Sequence, residues 1–386
     1  MASLPLSGIR VLDLSRVLAG PWATQMLADL GATVIKIEKP GSGDDTRGWG
    51  PPWAKDASGK DTAESAYFLC ANRGKQSITV DITTPEGQAH AQQLARECDV
   101  LVENYKVGGL AKYGLDYANI RKLNPRLVYC SITGFGQTGP YKDRAGYDFM
   151  IQGLGGLMSI TGEKDGEPGG GPQKVGVAVV DLFTGMYSSV AILAALRHRD
   201  ATGEGQHIDM ALLDCSVAML ANVASNYLVS GKVPQRMGNA HPNIVPYQAF
   251  RCRDGFLILA VGNDEQFARF CAEAGLQDVA ADARFVRNQG RVQHRDALVP
   301  VIEEVFLTRD RDDWLAAFER LGIPAGPINT IDQVFADPQV IARGLRIDLP
   351  HPTAGTVPGV ANPIRFSATP LVPERAPPVL GQDGVV

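Results

Sequence analysis

The sequence predicts an α/β fold, a Rossmann-like doubly wound parallel sheet with a smaller α+β domain. Two observations carry this prediction. Short apolar segments rich in β-branched residues alternate with helical segments over the first third of the chain, an alternation typical of parallel sheets covered by helices on both faces. From about residue 230 the pattern changes to a hairpin followed by helices, which indicates a second domain.

The large domain is predicted from strand segments that alternate with helices in chain order. The strand segments are IRVLDL (9–14), TVIKIEK (33–39), QSITVDI (76–82), DVLVENY (99–105) and RLVYCSI (126–132), and helical segments lie at 22–31, 83–98 and 115–124. Ligands of such sheets bind in the crevice beyond the carboxyl ends of the strands. We therefore expect the site in the turns that follow these strands.

The chain has 386 residues, which is enough for two domains because single cores rarely grow past about 250 to 300 residues. The predicted boundaries are 1–200 for the first part of the large domain, 201–229 for a linker, 230–325 for the small domain and 326–386 for a C-terminal segment.

Composition excludes several classes of protein. Hydrophobic residues make up 45% of the chain and the formal net charge is -5, and the absence of a long Lys/Arg run argues against nucleic acid and anionic membranes as partners. The six cysteines are scattered without metal-ligand spacing, which argues against disulfides and a metal site. With no secretory signal visible at the N-terminus, we expect a cytoplasmic protein.

One carboxylate stands in an apolar run. Asp181 is the only charged residue between Lys174 and Arg197. A membrane helix is the competing interpretation of this run, but a carboxylate would add roughly 2.5 to 3.5 kcal/mol at its centre. A strand-like GVAVV (176–180) before a helical segment instead predicts Asp181 at the start of a helix, where the macrodipole favours an anion. It is then either an N-cap or a nucleophile, and the sequence offers no conventional alternative nucleophile such as GxSxG.

A nucleotide-containing ligand remains open at the first βα turn. That turn has a single glycine, Gly20, so the three-glycine dinucleotide fingerprint is absent and NAD is disfavoured. Small residues at the head of a helix can still offer backbone N–H groups to a phosphate. Two glycine-containing loops, GSGDDTRGWGPP (41–52) and TGFGQTGPYKDRAGYDF (133–149), are also candidates to cover a ligand.

Several motifs together resemble the class III CoA-transferases, the CaiB/BaiF or formyl-CoA transferase family. They occur in the family's order over nearly the whole chain and include IRVLDLSRVLAGPWATQMLADLGATVIKIEKPGSGDDTR (9–47), VENYKVGGLAKYGLDY (102–117), SITGFGQTGP (131–140), AGYDFMIQGLGGLMSITG (145–162), GVAVVDLFTGMY (176–187) and GIPAGPINTIDQVFADPQV (322–340). The resemblance implies an interlocked homodimer of two ring-like chains, with a large domain built from both ends of the sequence.

The resemblance also implies the chemistry and the site. The family has no tightly bound cofactor and uses coenzyme A and acyl-CoA as substrates, together with a carboxylic acid acceptor. The nucleophile falls on Asp181. The CoA-binding positions fall on Leu18, Ala19, Lys39, Val80, Asn104, Tyr105, Lys106, Lys112 and Tyr147. For the acceptor acid we select Arg47, Asp148 and His241 as candidates.

Two alternatives stay open beside the transferase. The α-methylacyl-CoA racemases of the same family carry a histidine where this chain has Tyr147, and a two-base mechanism that lacks a base should fail. A non-catalytic nucleotide-binding module is the other alternative. Among transferases, formyl-CoA transferases have glutamine where this chain has Leu18, and the RMGNAHPN segment (236–243) is similar to the branch that acts on succinyl-CoA and dicarboxylic acids.

Overall fold

The computed structural model describes residues 3–373 and 375–385. Within them the strands are β1 (Arg10–Asp13), β2 (Thr33–Glu38), β3 (Trp53–Lys55), β4 (Asp61–Ser65), β5 (Lys75–Thr79), β6 (Val100–Glu103), β7 (Val128–Thr133), β8 (His207–Ala211), β9 (Tyr247–Arg251), β10 (Phe256–Ala260), β11 (Ala325–Pro327), β12 (Arg346–His351), β13 (Gly355–Val360) and β14 (Gly384–Val385).

The α-helices of the same residues are α1 (Ala19–Asp29), α2 (Ala66–Leu69), α3 (Pro85–Glu97), α4 (Tyr117–Leu123), α5 (Asp148–Leu154), α6 (Leu157–Ile160), α7 (Val179–Thr202), α8 (Leu212–Met219), α9 (Ala221–Ser230), α10 (Asp264–Glu273), α11 (Gln277–Ala281), α12 (Asn288–Gln293), α13 (Arg295–Phe306), α14 (Arg311–Leu321), α15 (Ile331–Ala336) and α16 (Pro338–Ala342). Two 3₁₀ turns lie at Asp45–Gly48 and Ala111–Tyr113.

The chain divides into two compact units at boundaries that differ from the expected ones. The larger unit takes the chain up to residue 157, residues 174–231 and the chain from 338 onward, and the smaller takes 158–173 and 232–337. Residues 201–229 are therefore not a linker: they contain β8, which pairs with β7, and the helices that follow it. The sequence indicates a short strand in this segment, but HIDMA has few β-branched residues and does not show that it belongs to the large sheet.

The large unit is built on a parallel sheet of seven strands in the order β14-β5-β2-β1-β6-β7-β8. The predicted α/β fold with a parallel sheet is thus confirmed. The chain proceeds outward from β1 in one direction and then returns to place β6 on the other side. The ends of β1 and β6 therefore flank the point at which the strand order reverses, where crevices form in such sheets.

Alternate residues of each strand supply a core on each face of this sheet. Val11, Val34 and Val100 face a core that includes residues of α1 and α7, while their neighbours Leu12 and Leu101 face a second core with residues of α3 and α4. This side-chain alternation is the period of two that a strand imposes. Two buried faces explain why strands such as β1 and β6 carry apolar residues at successive positions.

The helix that carries Asp181 begins earlier than the sequence suggests. No strand forms at 176–180: α7 begins at Val179, its N-cap is Ala178, and Asp181 lies in its first turn. Among the described residues α7 is long and apolar enough to cross a membrane, and the bent pair of α8 and α9 passes the same test when joined. Ile192 and Leu196 of α7 lie in the same core as the sheet, the arrangement of a core helix.

The small unit has its own sheet and core. Its antiparallel sheet has the order β11-β10-β9, so the unit extends beyond the expected limit at residue 325 to include all of β11. Its core contains a cluster of aromatic side chains whose rings lie within contact of one another: Phe250, Phe270, Phe306, Trp314 and Phe318. These large side chains supply much of the apolar area that the unit buries.

Candidate active site

A cavity of about 500 Å³ lies in the large unit beyond the ends of β1, β6 and β7. It is lined by the turn after β1, the segment after β6 and the loop after β7, which contribute Arg16, Val17, Leu18, Ala19, Asn104, Tyr105, Lys106, Val107, Thr133, Gly134, Lys142, Arg144, Gly146 and Tyr147, and by Asp181. Asp45, Trp49, Ile132, Ala145 and Leu212 complete the lining. The cavity thus occupies the crevice in which the strand order predicts a ligand.

The turn after β1 is held in a conformation that its sequence disfavours. Val17 has a φ of 72°, a left-handed backbone that is a rare outlier for a β-branched residue. Its N–H donates to the Asp44 carboxylate at 3.2 Å. On the other side the Asn104 side chain accepts the N–H of Arg16 at 2.9 Å and donates to the carbonyl of Arg16 at 2.6 Å. Strained backbone of this kind needs such support and clusters at functional sites.

Buried ion pairs lie beneath this turn. The Lys75 ammonium lies 3.0 Å from the Asp13 carboxylate and the Lys36 ammonium 2.9 Å from that of Asp44, and all four side chains are inaccessible to solvent. Burial alone would raise the pKa of Asp13, but Lys75 and Lys36 lower it to about 2. Burial lowers the pKa of Lys75 to about 8 although Asp13 opposes the change. These two buried ion pairs support the turn after β1 from the interior of the protein.

Arg47 belongs to the same buried network. Its Nε and one terminal nitrogen donate to the Glu38 carboxylate, each at 2.7 Å. The remaining contacts are with the Glu64 carboxylate at 3.4 Å and the carbonyl of Pro378 at 3.0 Å, and the guanidinium stacks on the Phe68 ring. Because every nitrogen is engaged, Arg47 has none left for a substrate carboxylate, which argues against its predicted place in the acceptor site.

Asp181 faces the cavity from the first turn of α7. Burial, followed by repulsion from the Asp148 carboxylate, raises its pKa to about 7. The helix amides that were expected to favour the Asp181 anion are occupied by that neighbour, since Asp148 Oδ1 accepts the N–H groups of Val180 at 2.8 Å and of Asp181 at 3.2 Å. A carboxylate that is partly buried and more basic than usual suits a nucleophile.

The expected CoA-binding residues separate into two groups. Leu18, Ala19, Asn104, Tyr105, Lys106 and Tyr147 line the cavity together with Asp181. Lys39, Val80 and Lys112 do not: Lys39 is exposed after β2, Val80 is buried in the core beside α3, and the Lys112 ammonium lies 4.7 Å from the centre of the Tyr113 ring. The two remaining acceptor candidates also differ, since Asp148 caps α7 and His241 belongs to the small unit.

Several lining residues escaped the sequence analysis. Arg16 stands in the turn after β1, where the sequence analysis considered only the small residues. Its guanidinium contacts the Asp45 carboxylate at 3.0 Å and the Tyr105 ring. Lys142 and Arg144 stand in the glycine-containing loop 133–149, which was noted as a cover but not for its cations. Two cationic residues within three positions of each other, in a glycine-containing loop, are the sequence pattern from which Lys142 and Arg144 could have been predicted. Together with Lys106 they give the cavity four positive side chains.

Gly134 and Gly146 cross at the rim of the cavity. A Cβ on Gly146 would lie 2.3 Å from the Cα of Gly134, and one on Gly134 would lie 2.5 Å from the Cα of Gly146. Only residues without side chains allow this approach of two backbones. The crossing places Tyr147 and Asp148 beside the cavity and the start of α7.

The model of the family described as CoA-transferase family III matches residues 6–384. The chain belongs to CoA-transferase family III. This confirms the resemblance and the enzyme class inferred from the motifs.

The relatives of this family member include a succinate–glutarate CoA-transferase of Agrobacterium fabrum, which is 57% identical over 98% of this chain and 93% of its own length. A human succinyl-CoA:glutarate CoA-transferase is 46% identical over 98% of this chain and 84% of its own length. Among solved structures, a CAIB/BAIF family protein from Brucella suis superposes with a TM-score of 0.86 at 53% identity, covering 99% of this chain and 98% of that one.

Proposed function

We propose that this enzyme moves CoA from succinyl-CoA to a dicarboxylic acid such as glutarate, with Asp181 as covalent nucleophile. The observation that carries the proposal is a partly buried carboxylate with a raised pKa in a cavity that four cationic side chains line. The cations suit the phosphates of CoA. The names of relatives that share 57% and 46% of their residues with this chain support the choice of substrates.

In the proposed reaction a carboxylate oxygen of Asp181 attacks the thioester carbon of succinyl-CoA. The C–S bond breaks, CoA leaves as a thiolate, and Asp181 and succinate form a mixed anhydride. The thiolate attacks the aspartyl carbonyl of the anhydride, which releases succinate and leaves an aspartyl-CoA thioester. The acceptor carboxylate displaces the thiolate in the same manner, and the thiolate then attacks the acceptor's carbonyl to give the new thioester and free Asp181.

Water must be kept from these intermediates, because both the anhydride and the thioester hydrolyse. The loop 133–149 and the segment with Trp49 border the cavity, and they are the proposed barrier to water. The racemase alternative loses support, since the chain has Tyr147 in place of the racemases' histidine and the Asp148 carboxylate is engaged by α7. Incorporation of solvent deuterium at the α-carbon of an acyl-CoA without an acceptor would restore it.

The decisive experiment traps the covalent intermediate. The enzyme is incubated with succinyl-CoA, treated with hydroxylamine or borohydride, and digested for mass spectrometry. Modification of Asp181 is expected, and Asp181→Ala should lose transfer by about 10⁴-fold or more while it still binds CoA in a thermal-shift assay. A panel of mono- and dicarboxylate acceptors tests the proposed acceptor of CoA. Preference for formate or oxalate would contradict the proposal.

The interlocked homodimer is part of the same proposal. Large apolar side chains stand exposed on the long helices of the large unit, including Val190, Leu228 and Val229, and a second copy of the chain would cover such a surface. A dimer by sedimentation at low protein concentration is expected.

We also propose a cytoplasmic location, which the six free cysteines support. We further propose that His241 contacts the acceptor acid, which His241→Ala tests through the acceptor KM.

A further inference from the structure

A carboxylate from another helix caps the helix of the nucleophile. Asp148, the first residue of α5, accepts the N–H groups of Val180 and Asp181 through Oδ1, at 2.8 and 3.2 Å. Its Oδ2 accepts the side-chain amide of Gln152 at 2.6 Å. The N-cap residue of α7, Ala178, supplies no side-chain hydrogen bond of its own. Asp148 thus performs the role that an N-cap side chain usually performs.

The hydrogen bonds of Asp148 and its partner Gln152 also extend to the segment before α7. Gln152 is completely buried, and its Oε1 accepts the N–H of Val175 at 2.9 Å. Asp148 and Gln152 therefore hold the backbone on both sides of the turn into α7. A displacement of either would move the Asp181 carboxylate relative to the cavity.

The same hydrogen bonds change the surroundings of the nucleophile. Among the described residues no hydrogen bond is donated to the Asp181 carboxylate, since the nearest helix amides donate to Asp148. We propose that Asp148 is a positioning residue that activates Asp181: it withholds the helix amides from the nucleophile and places a second negative charge beside it. This inference deepens the proposed function, since it rests on Asp181 as the nucleophile.

The electrostatics of the cavity agree with this arrangement. Burial and Asp148, in that order, raise the pKa of Asp181 to about 7. The hydroxyl of Tyr67 faces the same carboxylates, and burial followed by Asp181 raises its pKa to about 12. The other charged groups that line the cavity are Arg16, Asp45, Lys106, Lys142 and Arg144. A more basic carboxylate is a better nucleophile once it is ionised, at the cost of a higher pH at which it ionises.

The test separates the charge of Asp148 from its hydrogen bonds. Asp148→Asn keeps an oxygen that can accept the two α7 amides, but it removes the negative charge and the acceptor of the Gln152 amide, whereas Asp148→Ala removes all three. The measurement is the rate at which succinyl-CoA acylates Asp181 in a single turnover, followed by quenching and mass spectrometry from pH 5 to 9. Asp143→Asn is the matched control, because it removes the same charge from an exposed position in the same loop.

For Asp148→Asn we expect the pH midpoint to fall by at least one unit and the rate on the high-pH plateau to fall about tenfold. Asp148→Ala should lose more, and Asp143→Asn should match the wild type. An Asp148→Asn enzyme with the midpoint and plateau of the wild type would overturn the inference, as would an equal shift in Asp143→Asn. A purely structural role would lower the rate without moving the midpoint.

Two further outcomes keep the inference apart from the proposed function. If wild-type enzyme acylates no residue at position 181, the proposed function itself fails. If Asp181 is acylated but Asp148→Asn does not fold, Asp148→Ser takes its place, because it also removes the charge and keeps an acceptor oxygen: a pH midpoint below that of the wild type supports the inference, and an unchanged midpoint overturns it.

Discussion

The Asn104 side chain binds the backbone of Arg16 through both of its polar atoms, accepting the N–H at 2.9 Å and donating to the carbonyl at 2.6 Å. This pair of hydrogen bonds joins the ends of β1 and β6, the two strands between which the strand order reverses. Both segments line the cavity. One amide side chain therefore sets the width of the crevice at its base.

Asn104→Ala should widen this crevice and weaken acyl-CoA binding. Loss of two hydrogen bonds of roughly 1 kcal/mol each predicts about a thirtyfold increase in KM for succinyl-CoA, since tenfold corresponds to about 1.4 kcal/mol, with a smaller change in kcat. Steady-state kinetics measure both constants. Asn104→Asp keeps the acceptor for the Arg16 N–H, so its KM should lie between those of the wild type and Asn104→Ala. A wild-type KM in Asn104→Ala would refute the role of Asn104 in acyl-CoA binding.

Asp181→Asn should stabilise the fold at alkaline pH. The pKa of Asp181 in the folded protein, about 7, lies above its value in an unfolded chain, so its ionisation disfavours folding. This cost is absent below about pH 4, grows between pH 4 and 7, and is complete above pH 7. Discounted for partial exposure, the gain at pH 8 should be on the order of 2 kcal/mol. Urea unfolding at pH 5 and 8 measures it, and an equal gain at both would contradict the raised pKa.

Gly146→Ala should displace the loop that carries Tyr147. The added methyl group would meet the backbone of Gly134 at 2.3 Å, and backbone cannot move aside as a flexible side chain can. We expect transfer activity to fall by about a hundredfold, because the loop both lines the cavity and presents Asp148 to α7. Gly255→Ala is the control, since a Cβ there meets open space at an ordinary φ. Equal activity in the two variants would show that the crossing is dispensable.

Arg47→Ala should destabilise the protein without a specific effect on the acceptor. It would leave the buried carboxylates of Glu38 and Glu64 without their guanidinium, a loss of roughly 3 to 5 kcal/mol for a broken buried pair. Denaturant unfolding measures the change. Arg253→Ala, which breaks an exposed pair with Asp310, should have little effect. A stable Arg47→Ala enzyme with a raised acceptor KM would return Arg47 to the acceptor site.

The sequence predicts the sheet well because its strands are buried on both faces. Continuous apolar segments such as VLV (100–102) in β6 identify the strands without their partners. The edge strand β14 has only two residues and gives no signal in the sequence, and the sequence indicates a short strand at β8 but not its place in the sheet. Their pairing depends on neighbours far away in the chain, which local patterns do not contain.

Part of the site is predicted because its residues lie at the ends of these recognisable strands. Residues at the ends of strands, such as Asn104 and Lys106, follow from the fold class. Asp181 stands out by its isolation in an apolar run, but that isolation leaves an N-cap and a nucleophile open, and only the family resemblance implies the nucleophile. Arg47 was selected for the acceptor site because an arginine in a glycine loop looks the same whether it meets a ligand or a buried glutamate. The role of Asp148 depends on the packing of α5 against α7, which no spacing in the sequence encodes.

The short strand β14 pairs with β5 at Ile78 and Thr79, and the Asp383 carboxylate accepts the N–H of Ser77 at 2.8 Å. During synthesis on the ribosome the strands on either side of the cavity emerge early, the small unit emerges next, and this outer strand emerges after both. The aromatic core of the small unit is therefore available to fold while the large sheet still lacks an edge. A nascent chain in that interval exposes an unpaired β5 to other chains, which makes late translation the stage at which this enzyme most needs protection from aggregation.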